Sequence, residues 1–280
     1  DGSATYLREY LRKYLMATRP EKKDYPSWNY AQFVTDSILW NTDPLYGWCN
    51  KNFKKDGSPY NIYSDGLKVF TTVDSRMQRY AEEAVYQHVA RYLQPAFSKE
   101  VARKPSSPYS DKLNPKQIKA ILNRSVTQCE RYRQMKEEGC SELEIHDAFR
   151  KKIPMTVFTY HGDIDTLMSP LDSIRYYKTF LRSGFMSMDP KTGAVKAYVG
   201  GLDYTHFMYD MVSLGRRQVG STIKPFLYSL AMENGFSPCD LAPNRQQTYM
   251  VAGRPWTPRN ANHSRYGQMV PLSWGLAQSN

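Results

Sequence analysis

Apolar residues recur at Ile223, Phe226, Leu227, Leu230 and Ala231, the i, i+3, i+4 spacing of a helix that buries one face, and Gly235 is a natural stop. Ser221 therefore opens a helix, and Pro225 suits its first turn, where backbone amides lack intrahelical partners. Further upstream a strand is predicted over 67–73. The helix after it should carry Met77, Tyr80, Ala81, Ala84, Val85, His88, Val89 and Tyr92 on one face, with Asp74 or Ser75 as cap. Pro, Ser and Lys mark 95–112 as a loop. Helical stretches follow near 115–138 and 141–150, the second opened by a Ser141 to Glu144 capping box after a stop at Gly139. A strand is predicted over 153–160, then a helix begun by Ser169 and Pro170 and ended by Gly184. Phe185 to Gly201 reads as two strands around an Asp189-Pro190-Lys191-Thr192-Gly193 turn. Residues 1 to about 65 have little periodicity and read as an irregular segment rich in Trp, Tyr, Pro and Asn.

These elements predict an α+β chain, with an antiparallel sheet against which the Ser221 helix packs. A length of 280 residues suits about two domains, and 41% hydrophobic with 14% aromatic content supports real cores rather than disorder. No apolar run approaches the roughly 20 residues needed to span a bilayer, and the amino terminus is no signal peptide. Cys49, Cys129, Cys140 and Cys239 are too dispersed for a zinc site, and none sits in a redox C-x-x-C. Cys129 and Cys140 could pair in an oxidising compartment or simply occupy neighbouring helical segments. The five histidines are equally scattered, so no metal and no cofactor is expected.

Ser221 is the one serine with a lysine, Lys224, three residues on. At the start of a helix that spacing puts a hydroxyl and an amine one turn apart. A serine hydroxyl becomes a useful nucleophile when a nearby base takes its proton, and a lysine can do so only when neutral, which asks for a closed, largely dry site. By itself the pattern also fits a serine N-cap followed by a solvated lysine.

The flanking residues favour the chemical reading. Arg216-Arg217-Gln218-Val219-Gly220-Ser221-Thr222-Ile223-Lys224-Pro225-Phe226 resembles the nucleophile segment of the class A penicillin-binding proteins, bifunctional glycosyltransferase/transpeptidases that build bacterial peptidoglycan. Phe185 to Gly201 is similar to the first hairpin of their transpeptidase domain. Asp65 to Asp74, with Gln78 and Ala81-Glu82-Glu83-Ala84, resembles the strand and helix ahead of it. Trp256-Thr257-Pro258-Arg259-Asn260 and Leu276-Ala277-Gln278-Ser279-Asn280 match the approach to the second active-site motif. Ala4 to Tyr10 resembles the segment just after the glycosyltransferase. Val219 departs from the proline of many members, and residues 95–150 have no counterpart in the common pattern.

The resemblance implies a penicillin-binding/serine β-lactamase-like transpeptidase fold, truncated, preceded by a linker region with a helical insertion. The expected division is 1–65 junction, 66–180 linker with an insertion at about 95–150, and 181–280 the first part of the transpeptidase domain. Ser221 would be the nucleophile, Lys224 its base and Ser279 a proton relay, with Trp256 and Asn260 in the substrate cleft. Lys191-Thr192-Gly193 has the letters of the family's third motif but precedes Ser221, so it is turn chemistry instead. The implied partners are peptidoglycan stem peptides ending in D-alanyl-D-alanine and β-lactams. The parent would be anchored at the outer face of the cytoplasmic membrane, and this stretch alone is expected to be inactive. A net charge of +11, from 38 Lys and Arg against 27 Asp and Glu, invites a nucleic-acid reading. The charges are scattered and no nucleic-acid motif appears, so anionic lipid and peptidoglycan carboxylates account for them better and no nucleic acid is expected. A D,D-carboxypeptidase or β-lactamase-like hydrolase and a non-catalytic wall-binding module stand as alternatives.

Overall fold

A computed structural model describes residues 2–259 and 263–279. The chain divides into two compact units, 1–215 and 216–280.

The first unit begins with α1 (Thr5–Leu15), α2 (Tyr30–Thr42) and α3 (Trp48–Lys51), so the segment expected to be irregular is largely helical. Its aromatic residues pack on one another, as in Tyr14 against Tyr46 at 5.0 Å and Trp48 against Tyr60 at 5.0 Å. In α1, Tyr6, Leu7, Tyr10, Leu11, Tyr14 and Leu15 do recur at helical spacing, a stripe that the expectation of an irregular segment passed over, whereas α2 has no clear stripe and leans on aromatic contact such as Tyr30 against Phe33. No strand forms over 67–73. That segment is tied to the later strand Val195–Val199 by Thr72 Oγ1 donating to the Val195 carbonyl and Asp74 N–H to the Lys196 carbonyl.

α4 (Ser75–His88) starts as the sequence predicts, with the Asp74 carboxylate accepting from the Arg76 and Met77 amides. Those two bonds hold the Asp74 carboxyl below its ordinary range. Its packed face follows the expectation at Ala81, Val85 and Val89 and departs from it at Gln78, which is buried, and at Met77, Tyr80 and Tyr92, which are exposed. A π-helical turn over Val89–Leu93 joins α4 to α5 (Gln94–Val101), so the expected loop begins only after residue 101. Two features carry the helix past Pro95. The wide turn accommodates the missing N–H, and the Gln94 amide clamps the chain at Thr179 and Leu181, donating to the first carbonyl and accepting from the second amide, each at 2.9 Å.

The helices α6 (Pro115–Gln128), α7 (Glu130–Glu137) and α8 (Glu142–Ala148) follow. Cys129 is extended and breaks the predicted 115–138 stretch in two. The Ser141–Glu144 capping box is present in both directions. All four cysteines are free thiols, so Cys129 and Cys140 are not paired.

β1 (Ile153–Val157) pairs antiparallel with β2 (Ile164–Met168), a strand the sequence reading lacks because its half-polar Ile-Asp-Thr-Leu-Met run shows no clean alternation. Ser169 caps α9 (Pro170–Lys178), which ends before Gly184 as its last residues turn into an aromatic cluster. Phe158 is central there, 5.3 Å from Phe180 and 5.1 Å from Phe207, and the Arg182 guanidinium lies 3.7 Å from the Phe207 ring centre.

β3 (Phe185–Met188) and β4 (Val195–Val199) form the predicted hairpin. The Asp189 carboxylate accepts from the Lys191 and Thr192 amides at 2.9 Å each, so Lys191-Thr192-Gly193 is a turn. Ala197 and Val199 of β4 form a core with Ala81 and Val85 of α4. The fully buried Gln78 side chain acts as a strand partner for Tyr198, donating to its carbonyl at 2.8 Å and accepting from its amide at 2.7 Å. Gly200 and Gly201 follow, and a Cβ on either would lie 2.6 Å or less from Tyr6 of α1, so their lack of a side chain is what lets α1 approach.

The second unit contains α10 (Lys224–Glu233), β5 (Leu241–Pro243), β6 (Tyr249–Val251), β7 (Arg254–Trp256), β8 (Met269–Pro271) and α11 (Leu272–Ala277). β5 pairs antiparallel with β8, and β6 with β7. The hairpin β3–β4 and α10 thus fall in different compact units, and the hairpin's core partner is α4. Ile223, Phe226, Leu227 and Leu230 are between 48% and 73% exposed, so the apolar face expected to be buried is open.

Candidate active site

Gly220 precedes the site with a φ of 54°, a left-handed conformation that costs an L-residue about 1–2 kcal/mol and that glycine adopts freely. A 3₁₀ turn over Gly220–Ile223 runs directly into α10, with Pro225 in its first turn. Ser221 and Lys224 therefore sit one turn apart at a helix start, as the spacing predicts. The end of α10 also follows prediction, with the Gly235 and Phe236 amides returning to the Met232 and Ala231 carbonyls.

The other side of the site is hung from the loop that leaves α10. The Leu272 amide donates to the Asp240 carbonyl and the Ser273 amide to the Pro238 carbonyl, each at 2.9 Å, which fixes the first turn of α11. Asp240 is itself held by accepting from the Ser237 amide at 2.8 Å. Buried Asn244 ties β5 to the chain before β8: its amide donates to the Gln268 carbonyl, its carbonyl accepts from Gly267, and its side chain donates to the Ser264 carbonyl. α11 then lies close to α10 at Gly275, where a Cβ would stand 2.6 Å from the Tyr228 hydroxyl. Burial pushes the Tyr228 phenol up from its ordinary range.

α11 delivers Ser279 to Lys224. The Lys224 Nζ donates to the Ser279 hydroxyl at 3.0 Å and also to the Ser279 carbonyl oxygen. Ser279 has a φ of 58°, left-handed for a serine, and in this conformation both of its oxygens meet the amine. Two of the sequence-predicted site residues, 55 positions apart, are thus in contact, with amine and hydroxyl within proton-transfer reach.

Ser221 is exposed, and among the described residues its hydroxyl makes no hydrogen bond. Its backbone N–H belongs to the first turn, where no intrahelical carbonyl reaches it. Instead of the closed, dry site that the spacing calls for, the described residues leave an open one. Trp256 is 56% exposed in β7, with its ring 6.1 Å from that of Tyr249, and takes no part in the Lys224–Ser279 contact. Asn260 lies outside the described residues. Sequence reasoning did not identify Gly275, Tyr228 or Asn244, because each acts by fitting a neighbour distant in sequence and leaves no local pattern. No group of three His, Cys, Asp or Glu able to hold a metal ion occurs among the described residues.

Residues 183–280 match the family described as penicillin binding protein transpeptidase domain, and residues 104–181 match the penicillin-binding protein middle domain. The chain belongs to the penicillin-binding proteins. The middle-domain match takes in residues 104–150, which have no counterpart in the resemblance described from sequence. Penicillin-binding protein 1A of Neisseria flavescens is 28% identical over 257 residues, covering 81% of this chain and 31% of that protein. Penicillin-binding protein 1A of Vibrio cholerae is 39% identical over 100 residues, 35% of this chain and 12% of that one. Penicillin-binding protein 2D of Bacillus subtilis is 36% identical over 101 residues, 35% of this chain and 15% of that one. A crystal structure of penicillin-binding protein 1A from Haemophilus influenzae covers 93% of this chain with 19% identity and a TM-score of 0.43. The chain spans about a third or less of the length of these relatives. Among the described residues no helix is long and apolar enough to cross a membrane.

Proposed function

We propose that residues 216–280 carry the acylation side of a peptidoglycan D,D-transpeptidase. Ser221 attacks the penultimate D-alanine carbonyl of a stem peptide, forming a bond from its Oγ to that carbon. Lys224 takes the hydroxyl proton, and Ser279 passes a proton to the departing D-alanine amine. An amine from a neighbouring stem peptide then takes the acyl group and frees Ser221. The Ser221 N–H, left over at the helix start, is one oxyanion donor. Trp256 and Asn260 contribute to the cleft wall, and β-lactams trap the same serine. The observation that carries this reading is the 3.0 Å contact from the Lys224 amine to the Ser279 hydroxyl, next to a serine one turn away.

The same reading divides the chain into a junction at 1–65, a linker region at 66–180 and the transpeptidase portion at 181–280. It places the site at the outer face of the cytoplasmic membrane, in a parent that also carries a glycosyltransferase. Lys191-Thr192-Gly193, ahead of Ser221, is turn chemistry and takes no part in this reading. A carboxypeptidase or β-lactamase would use the same serine with water as acceptor. Fluorescent penicillin tests the proposal on the chain extended through a third motif. Covalent label that survives denaturation and disappears in Ser221→Ala supports it, while absence of label on the folded protein refutes it.

A further inference from the structure

Residues 216–280 hold seven Lys and Arg but only two acids, Glu233 and Asp240. Arg245 and Arg259 line one cavity of about 290 Å³ together with Gln246, Tyr249, His263 and Tyr266. No acid lines it, and among the described residues neither arginine has an ion-pair partner. Two guanidinium groups gathered around one cavity repel each other, and that arrangement is relieved by a bound anion.

The cavity is braced. The Tyr266 hydroxyl accepts from the Gln246 amide at 3.2 Å, the Asn244 side chain donates to the Ser264 carbonyl at 2.8 Å, and the Thr248 and Thr257 hydroxyls meet at 2.9 Å. These bonds tie together the stretches 244–249, 256–259 and 263–266. Planar guanidinium forks match carboxylates in paired hydrogen bonds. Amide and phenol walls suit a peptide, and the volume, near the lower end of the roughly 300–1,000 Å³ typical of ligand sites, admits a side chain rather than a large cofactor. Side chains rather than a helix start line the cavity, which argues against a phosphate cradle.

We propose that this cavity is a carboxylate-recognition subsite for an anionic peptide substrate, held by Arg245 and Arg259. It lies in the same compact unit as Ser221, and it rests on the reading of that serine as a peptide acyl-transfer nucleophile.

The test is calorimetric titration of the 280-residue chain with a short peptide that ends in D-alanyl-D-alanine and carries one side-chain carboxylate. The same peptide with that group as a carboxamide, and inorganic pyrophosphate, are the comparison ligands. The acid peptide should bind about tenfold more tightly than the carboxamide, the size expected when charge-assisted hydrogen bonds are lost. R245Q and R259Q should each weaken the acid peptide about five- to tenfold, leave the carboxamide unchanged and keep the thermal melt. Equal binding of acid and carboxamide, indifference to both arginines, or no peptide binding overturns the subsite. Tighter pyrophosphate binding with the same arginine dependence overturns it in favour of a phosphate site. Penicillin labelling without acid–amide discrimination refutes the subsite alone, and discrimination without labelling refutes the transpeptidase reading alone.

Discussion

Gly275→Ala tests how α11 is held against α10. The new Cβ would stand 2.6 Å from the Tyr228 hydroxyl, well inside the 3.4–4 Å of ordinary contact. Overpacking of this kind costs about 1–3 kcal/mol, while replacing a helical glycine by alanine contributes about 1 kcal/mol in the other direction. The single variant should therefore lose between about zero and 2 kcal/mol. In Tyr228→Phe the clashing oxygen is gone and the nearest remaining atom is Cζ at 3.7 Å, so the same alanine fits. The double variant should recover the helix gain, giving a coupling of about 1–3 kcal/mol, and the Tyr228→Phe single variant subtracts whatever else that hydroxyl does. Guanidinium unfolding followed by tryptophan fluorescence gives the four free energies. Amide exchange over 272–279 reports whether α11 itself loosens. Additivity within about 0.5 kcal/mol would refute the close approach as the feature that sets α11.

Gln78→Leu should destabilise the first unit by about 2–4 kcal/mol in chemical denaturation, because the buried Tyr198 amide and carbonyl both lose their partner; a change below about 0.5 kcal/mol would show that the amide is not replacing a strand. Ser169→Ala should cost about 1 kcal/mol as a lost helix cap. The Ser169 hydroxyl, then Arg175, hold the Asp172 carboxyl below its ordinary range. That contribution is present above the unfolded value of about 3.9 and lost as pH falls through the lower folded value. Ser169→Ala should accordingly flatten the acid limb of a melting-temperature profile; an unchanged limb would contradict the assignment.

Local chemistry is what the sequence displays most clearly. Asp74, Ser141, Ser169 and the Asp189 turn each satisfy backbone amides two or three residues away, so the residue type and its position announce the element. The helix start at Ser221 and its stop at Gly235 are of the same kind. Burial is less legible, because periodicity marks a face that could be covered and not what covers it. The α10 stripe is open, and α4 buries a glutamine where an apolar pattern points to Met77 and Tyr80. Gln78 is chosen by the Tyr198 backbone and Gln94 by the Thr179–Leu181 chain, partners more than 80 positions away. The Lys224–Ser279 contact follows the same logic: the resemblance nominated both residues, while Gly275 and the Asp240 anchor that bring them together have no signature of their own.

The role of Lys224 as the base for Ser221 is open to a direct rate measurement. Lys224→Met keeps the length of the side chain and removes the amine. The second-order rate constant for acylation by penicillin should be compared with the parent in the chain extended through a third motif, with thermal melts to show that both are folded. The account predicts a fall of about 10²–10⁴-fold, the size of a lost general base. Acylation of Ser221 within a few-fold of the parent would contradict it.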